Sequence, residues 1–168
     1  MAATQKTTTT KARRTRRTGR RDPLAVKLLK QDHREVEGWF DEYEQLEDDA
    51  DKLALFNKIA LALKVHTQIE EEIFYPEERG EVEDDLLDEA YVEHQGAKDL
   101  IAQIESMQVG EHLYDAKLKV LSEYIKHHVR EEETAMFPEL RKTDMDLQAI
   151  GQRLEARSEE LKDQMSRG

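Results

Sequence analysis

The sequence has no cysteine, which excludes disulfides, thiolate metal sites and thiol nucleophiles. It is also poor in turn formers and rings, with three prolines, seven glycines and 6% aromatic residues among 168. A sheet protein with many tight turns needs more of all three, whereas 38% charged residues suit long amphipathic helices. No apolar run approaches the roughly 20 residues of a membrane span, and no signal-peptide apolar region follows the start. The expected compartment is therefore the cytoplasm, with no membrane partner.

Acid is missing too, but only locally. Residues 1–21 hold eight Lys or Arg and no Asp or Glu, whereas the remaining 147 residues carry 18 basic and 38 acidic side chains. Residues 1–21 have almost nothing to bury and read as a disordered basic tail. Such a tail suits nucleic acid or another polyanion, or serves as a solubilising arm against the acidic body. We divide the chain into this tail, a helical bundle over 22–142 and a C-terminal helix over 143–168.

The body repeats itself. Helix 1, expected to start at Pro23 behind an Asp22 cap, carries the stripe Val26, Leu29, His33, Val36, Phe40 and Tyr43. Helix 2 carries Phe56, Ile59, Leu63, His66, Glu70 and Ile73, and should end near Pro76. Helix 3 carries Leu87, Ala90, His94, Ala97, Ile101 and Ile104, stopping near Gly110; helix 4 carries Leu118, Leu121, Ile125, His128, Glu132 and Ala135, stopping near Pro138. Helix 1 maps onto helix 3 with an offset of 61, and helix 2 onto helix 4 with an offset of 62. The sequence therefore predicts an all-α, up-down four-helix bundle of two repeated α-hairpins. An extra C-terminal helix, from about Asp144, carries Leu147, Ile150, Leu154 and Leu161.

Each of the four stripes contains one histidine: His33, His66, His94 and His128. Glu70 and Glu132 join them, each four residues after a histidine and thus one helical turn away on the same face. A carboxylate inside an apolar stripe is costly unless something compensates its charge. Two of them in equivalent places suggest a pair of metal ions, with imidazoles as ligands and carboxylates able to bridge. Other metal sites fail on spacing. No histidine has a Glu three residues before it, as ferritin-like sites require, and no HExxH is present for a zinc protease.

The two segments His66-Thr67-Gln68-Ile69-Glu70-Glu71-Glu72-Ile73-Phe74-Tyr75-Pro76 and His128-Val129-Arg130-Glu131-Glu132-Glu133-Thr134-Ala135-Met136-Phe137-Pro138 resemble those of the hemerythrin HHE cation-binding family. The resemblance covers about residues 23–140. It implies a four-helix bundle with a non-haem centre of two iron ions, oxo- or hydroxo-bridged. His33, His66, His94 and His128 would be its terminal ligands, and Glu70 and Glu132 its bridges.

One position departs from the family. Oxygen-carrying members have a further histidine one turn after the helix 3 ligand, and here that residue is Lys98. Glu37 and Tyr124 are candidate substitutes, although both read more simply as bundle lining. Asp32 and Glu93, each just before a ligand histidine, are outer-shell candidates, but exposed helix charges are the simpler expectation. Glu71, Glu72, Glu131 and Glu133 read as a solvated face, and His127 and His112 as surface residues.

The expectation is a small di-iron protein binding or reacting with dioxygen, peroxide or nitric oxide, through sensing, scavenging or iron holding. Weak catalase- or peroxidase-type activity would then belong to the metals, because no side chain stands out as a general base or nucleophile. The competing expectation is a metal-stapled module that docks on nucleic acid or a protein partner through residues 1–21.

Overall fold

The computed structural model describes residues 21–167, so the basic tail lies outside the described residues apart from Arg21. Four long helices form the bundle: α1 (Leu24–Tyr43), α2 (Asp49–Ile69), α4 (Asp84–Glu105) and α5 (Tyr114–Glu131). Short helices α3 (Tyr75–Glu78) and α6 (Phe137–Leu140) follow α2 and α5, and α7 (Leu147–Ser166) completes the chain. All six stripe positions of α1 and of α4 are buried, as the spacing required.

Helices 2 and 4 are not continuous to their prolines. Each breaks into a five-residue π-helical turn, Glu70–Phe74 and Glu132–Met136, before a last α turn. The wider turn takes up one extra residue and rotates everything after it. Ile73 and Ala135, expected on the stripe, become half-buried, and Phe74, Tyr75, Met136 and Phe137 turn inward instead. The π turns begin at the two candidate ligands Glu70 and Glu132.

The helix ends also differ in detail. Asp22 does not cap α1; its carboxylate pairs with Lys30 at 3.0 Å and with Arg141. Asp48 caps α2, accepting from the backbone N–H of Ala50 at 2.8 Å and Asp51 at 3.1 Å. Helix α4 stops at Glu105, ahead of Gly110, and α7, capped by Asp146, starts at Leu147 rather than near Asp144.

Helix α7 lies across α1 and α2, burying Leu147, Ile150, Leu154 and Leu161. The approach is close at Gly151, where a Cβ would sit 2.6 Å from the backbone nitrogen of Ala25. Arg153 and Arg157 then reach Glu77 and Glu72 beside the first π turn. Two apolar clusters fill the bundle: one holds Leu29, Ile69, Phe74, Phe137 and Leu154, and the other Val36, Phe40, Phe56, Ile101 and Leu121. The four histidines occupy the layer between them.

Candidate metal centre

Burial is nearly complete for all six candidate ligands. His33, His66, His94, His128, Glu70 and Glu132 are each 6% exposed or less, in a protein most of whose charged groups face water. The histidines converge in two pairs. His33 Nε2 lies 3.2 Å from His66 Nε2, and His94 Nε2 lies 3.1 Å from His128 Nε2.

Each glutamate spans both pairs. Glu70 Oε2 is 3.2 Å from His66 Nε2 and 3.3 Å from His94 Nε2. Glu132 Oε2 is 3.2 Å from His33 Nε2 and 3.7 Å from His128 Nε2. Two donor clusters result, His33–His66–Glu70–Glu132 and Glu70–His94–His128, sharing Glu70.

The outer nitrogens account for the orientation. His33 Nδ1 faces Glu133 at 3.0 Å, His66 Nδ1 faces Asp32 at 3.3 Å, His94 Nδ1 faces Glu71 at 3.0 Å, and His128 Nδ1 faces Glu93 at 2.8 Å. A carboxylate only accepts, so each Nδ1 must carry the hydrogen. In the neutral ring the Nε2 lone pair is then left pointing inward. Four lone pairs and two carboxylates meet with one hydroxyl, that of Tyr75, among them, and Glu70 Oε1 and Glu132 Oε2 have no hydrogen-bond partner. Only protons or cations satisfy such a set.

Without a cation, protons take the strain. Burial pushes the Glu70 carboxyl up to about 7, with the neighbouring Glu132 adding to it. At Glu132 burial pulls the same way, but His128, His33 and His66 outweigh it and hold the group low. Burial opposes the charge on His33, yet Glu132 and Glu133 push it up to about 10.

These contacts correct the expectation for four acids. Asp32 and Glu93 are not free helix charges, and Glu71 and Glu133 do not belong to a solvated face; each orients a histidine. Lys98 and Arg34 in turn fix two of the acids. Lys98 Nζ sits 2.6 and 2.7 Å from the Glu71 oxygens, and Arg34 holds Glu133. Lys98 thus braces the His94 partner from the position where the oxygen carriers have a ligand.

Neither expected substitute reaches the centre. Glu37 pairs with Arg34 at 2.7 Å, and Tyr124 is 38% exposed with its ring against Gly96. His112 is exposed, and the His127 side chain, 53% exposed, lies between Glu93 and Glu131. The residue that sequence reasoning missed is Tyr75. Its hydroxyl donates to Glu132 Oε1 at 2.9 Å and lies 3.2 Å from His94 Nε2. The π turn brings it inward, and its repeat partner Phe137 instead stacks 6.1 Å from the His33 ring. An apolar cavity against the histidines is walled by Val36, Leu63, Ile125 and Val129.

A bundle whose midsection gathers four imidazoles and two carboxylates that reach both pairs has the donor set of a helical cation-binding protein. The chain belongs to the hemerythrin HHE cation binding domain family, whose profile matches residues 24–140. It is similar to a DNA nickase from Nostoc sp. (strain PCC 7120 / SAG 25.82 / UTEX 2576), 28% identical over 114 residues. That match takes in 68% of this chain and 32% of the nickase, so the chain spans about a third of that protein's length. Its fold resembles the crystal structure of a hemerythrin HHE cation binding domain-containing protein from Mycobacterium kansasii. The TM-score is 0.72 at 24% identity, over 83% of this chain and 88% of the other. Among the described residues, no helix is long and apolar enough to cross a membrane.

Proposed function

We propose that the centre holds two iron ions and that the protein binds or reacts with dioxygen, peroxide or nitric oxide. The observation that carries this reading is the inward set of Nε2 lone pairs, each fixed by a carboxylate on the opposite ring nitrogen. A donor set of four nitrogens and two carboxylates suits a borderline transition metal better than calcium or magnesium, which prefer oxygen alone. His33 and His66 would hold one ion, His94 and His128 the other, and Glu70 and Glu132 would lie between the two.

Iron there supplies one-electron redox chemistry and an exchangeable coordination position. The chain's own residues do the rest. The Nδ1 acceptors keep the rings in one tautomer and one orientation, which raises ligand basicity. Val36, Leu63, Ile125 and Val129 give the space beside the histidines a largely apolar wall, which suits a small uncharged molecule. Tyr75 approaches the centre from the other apolar cluster, its hydroxyl donating to Glu132 Oε1 at 2.9 Å. Weak peroxide breakdown would follow from such a site without a protein nucleophile.

The ligand assignment is tested by His66→Ala and Glu132→Ala, each of which should abolish binding of the iron pair. Full iron occupancy in a folded form of either variant would overturn it. A second reading is favoured by charge: residues 1–21 carry eight basic side chains ahead of a strongly acidic body. In that reading the tail docks on DNA or RNA and the metal staples the bundle. Salt-sensitive DNA retention that disappears on deleting residues 1–21, with no optical response to oxidant, would favour it.

A further inference from the structure

The second hairpin carries another set of donors outside the centre. It holds two His-x-x-x-Glu pairs one residue out of step: His128 with Glu132, which are buried in the centre, and His127 with Glu131. Adjacent helix residues point about 100° apart, so the second pair emerges at the surface of α5, beside α4. Glu93 of α4 straddles the two histidines. Its Oε2 faces His128 Nδ1 at 2.8 Å, and its Oε1 lies 3.4 Å from His127 Nε2. On the other side, His127 Nε2 is 3.3 Å from Glu131 Oε1.

These separations are those of metal ligands. Donors at the corners of a tetrahedron, each about 2.1 Å from zinc, stand about 3.4 Å apart. In the centre the same i, i+4 relation puts His66 Nε2 3.2 Å from Glu70 Oε2. A hydrogen on His127 Nε2 can point at only one of the two carboxylates, whereas a cation among the three atoms satisfies all of them. Glu93 is only 8% exposed, so water does little for the oxygen it turns toward His127. Among the described residues, no Lys or Arg nitrogen comes within 4.0 Å of a Glu93 or Glu131 carboxylate oxygen.

The repeat shows that this set belongs to one hairpin alone. His127 and Glu131 correspond, 62 residues earlier, to Val65 and Ile69. Both are 2% exposed, on the hairpin that α7 packs against. The α4–α5 side keeps an open approach, with the His127 side chain 53% exposed, so water can complete the shell of a bound ion.

We propose that Glu93, His127 and Glu131 form a third cation site, separate from the dinuclear centre, that takes a divalent transition ion such as zinc. One imidazole nitrogen and two carboxylates suit such an ion better than calcium or magnesium, which prefer oxygen alone. Three protein donors and an open side leave the ion free to exchange with solution. Desalted protein therefore keeps only what the enclosed centre holds, and the third ion appears when free metal is present.

Zinc tests this on the full chain. Wild type, H127A and E131Q are dialysed against graded free zinc, and bound zinc is counted at each concentration. Neither substituted side chain belongs to the centre or to the buried core, so fold and centre are retained. Wild type should hold one more zinc per chain than either variant, whatever number the centre takes. Anomalous diffraction at the zinc edge from soaked wild-type crystals should place that ion about 2.1 Å from Glu93 Oε1, His127 Nε2 and Glu131 Oε1. Equal zinc in all three proteins, or no anomalous peak among those three atoms, overturns the proposal and leaves the dinuclear centre untouched. A wild type that holds a single zinc, lost in both variants, supports the third site and removes the dinuclear reading instead.

Discussion

Replacing Glu78 with leucine, the residue its repeat partner carries, should make the metal-free protein more stable. The native carboxyl holds its proton up to about 10, whereas an ordinary glutamate releases it near 4.5. Between those values the folded chain binds a proton that the unfolded chain has lost, so this group's contribution to stability is intact below 4.5 and falls as pH rises. At pH 7 the gap from 4.5 is 2.5 units, which at about 1.4 kcal/mol per unit is a cost of about 3 kcal/mol. Leucine removes that cost and, as Leu140 does in the other hairpin, supplies apolar volume to a site that is 0% exposed in the wild type. Urea unfolding of chelator-treated protein measures the effect; at typical slopes the midpoint should rise by roughly 1–3 M. The advantage of E78L should grow by about 1.4 kcal/mol between pH 7 and 8, and its electrostatic part should fade near pH 4.5. A variant no more stable than wild type at pH 7, with a difference that does not move with pH, would refute the buried neutral acid.

Other perturbations test other parts of the account. Glu93→Gln and Glu71→Gln keep the shape but weaken the acceptors on His128 and His94. Each should lower metal affinity by about 10–100-fold, read by competition with a coloured chelator. Tyr75→Phe copies Phe137; it should leave metal stoichiometry unchanged and shift the optical spectrum of the iron-loaded protein, and an identical spectrum would remove Tyr75 from the centre. Gly151→Ala pushes a methyl against the α1 backbone at Ala25; it should destabilise by about 1–3 kcal/mol in thermal unfolding despite alanine's better helix propensity.

Much of the fold was legible because the four stripes obey one rhythm. Position after position from Val26 to Tyr43 and from Leu87 to Ile104 is buried where the spacing put it. The repeat offsets brought the histidines together, since related hairpins packed face to face place equivalent residues in one layer. The breaks at Glu70 and Glu132 were not legible, because a π turn leaves composition and spacing untouched; it is the register after it that shifts. Tyr75 and Glu78 were lost with that register. Asp32, Glu71, Glu93 and Glu133 were misread for a different reason. In a chain with 38 acidic residues, an exposed helix charge is the common case, and only the position of a ring nitrogen on another helix marks these four out. One signal was available: Asp32 and Glu93 are repeat partners, and so are Glu71 and Glu133, an acid retained in both copies.

The most direct test of the central claim is the iron content of the purified protein, taken with its optical spectrum before and after dioxygen and peroxide. The account predicts two irons per chain, with charge-transfer bands that respond to oxidant. A folded protein that takes up no metal would contradict it, and iron that stays optically silent would reduce the centre to a structural or storage site.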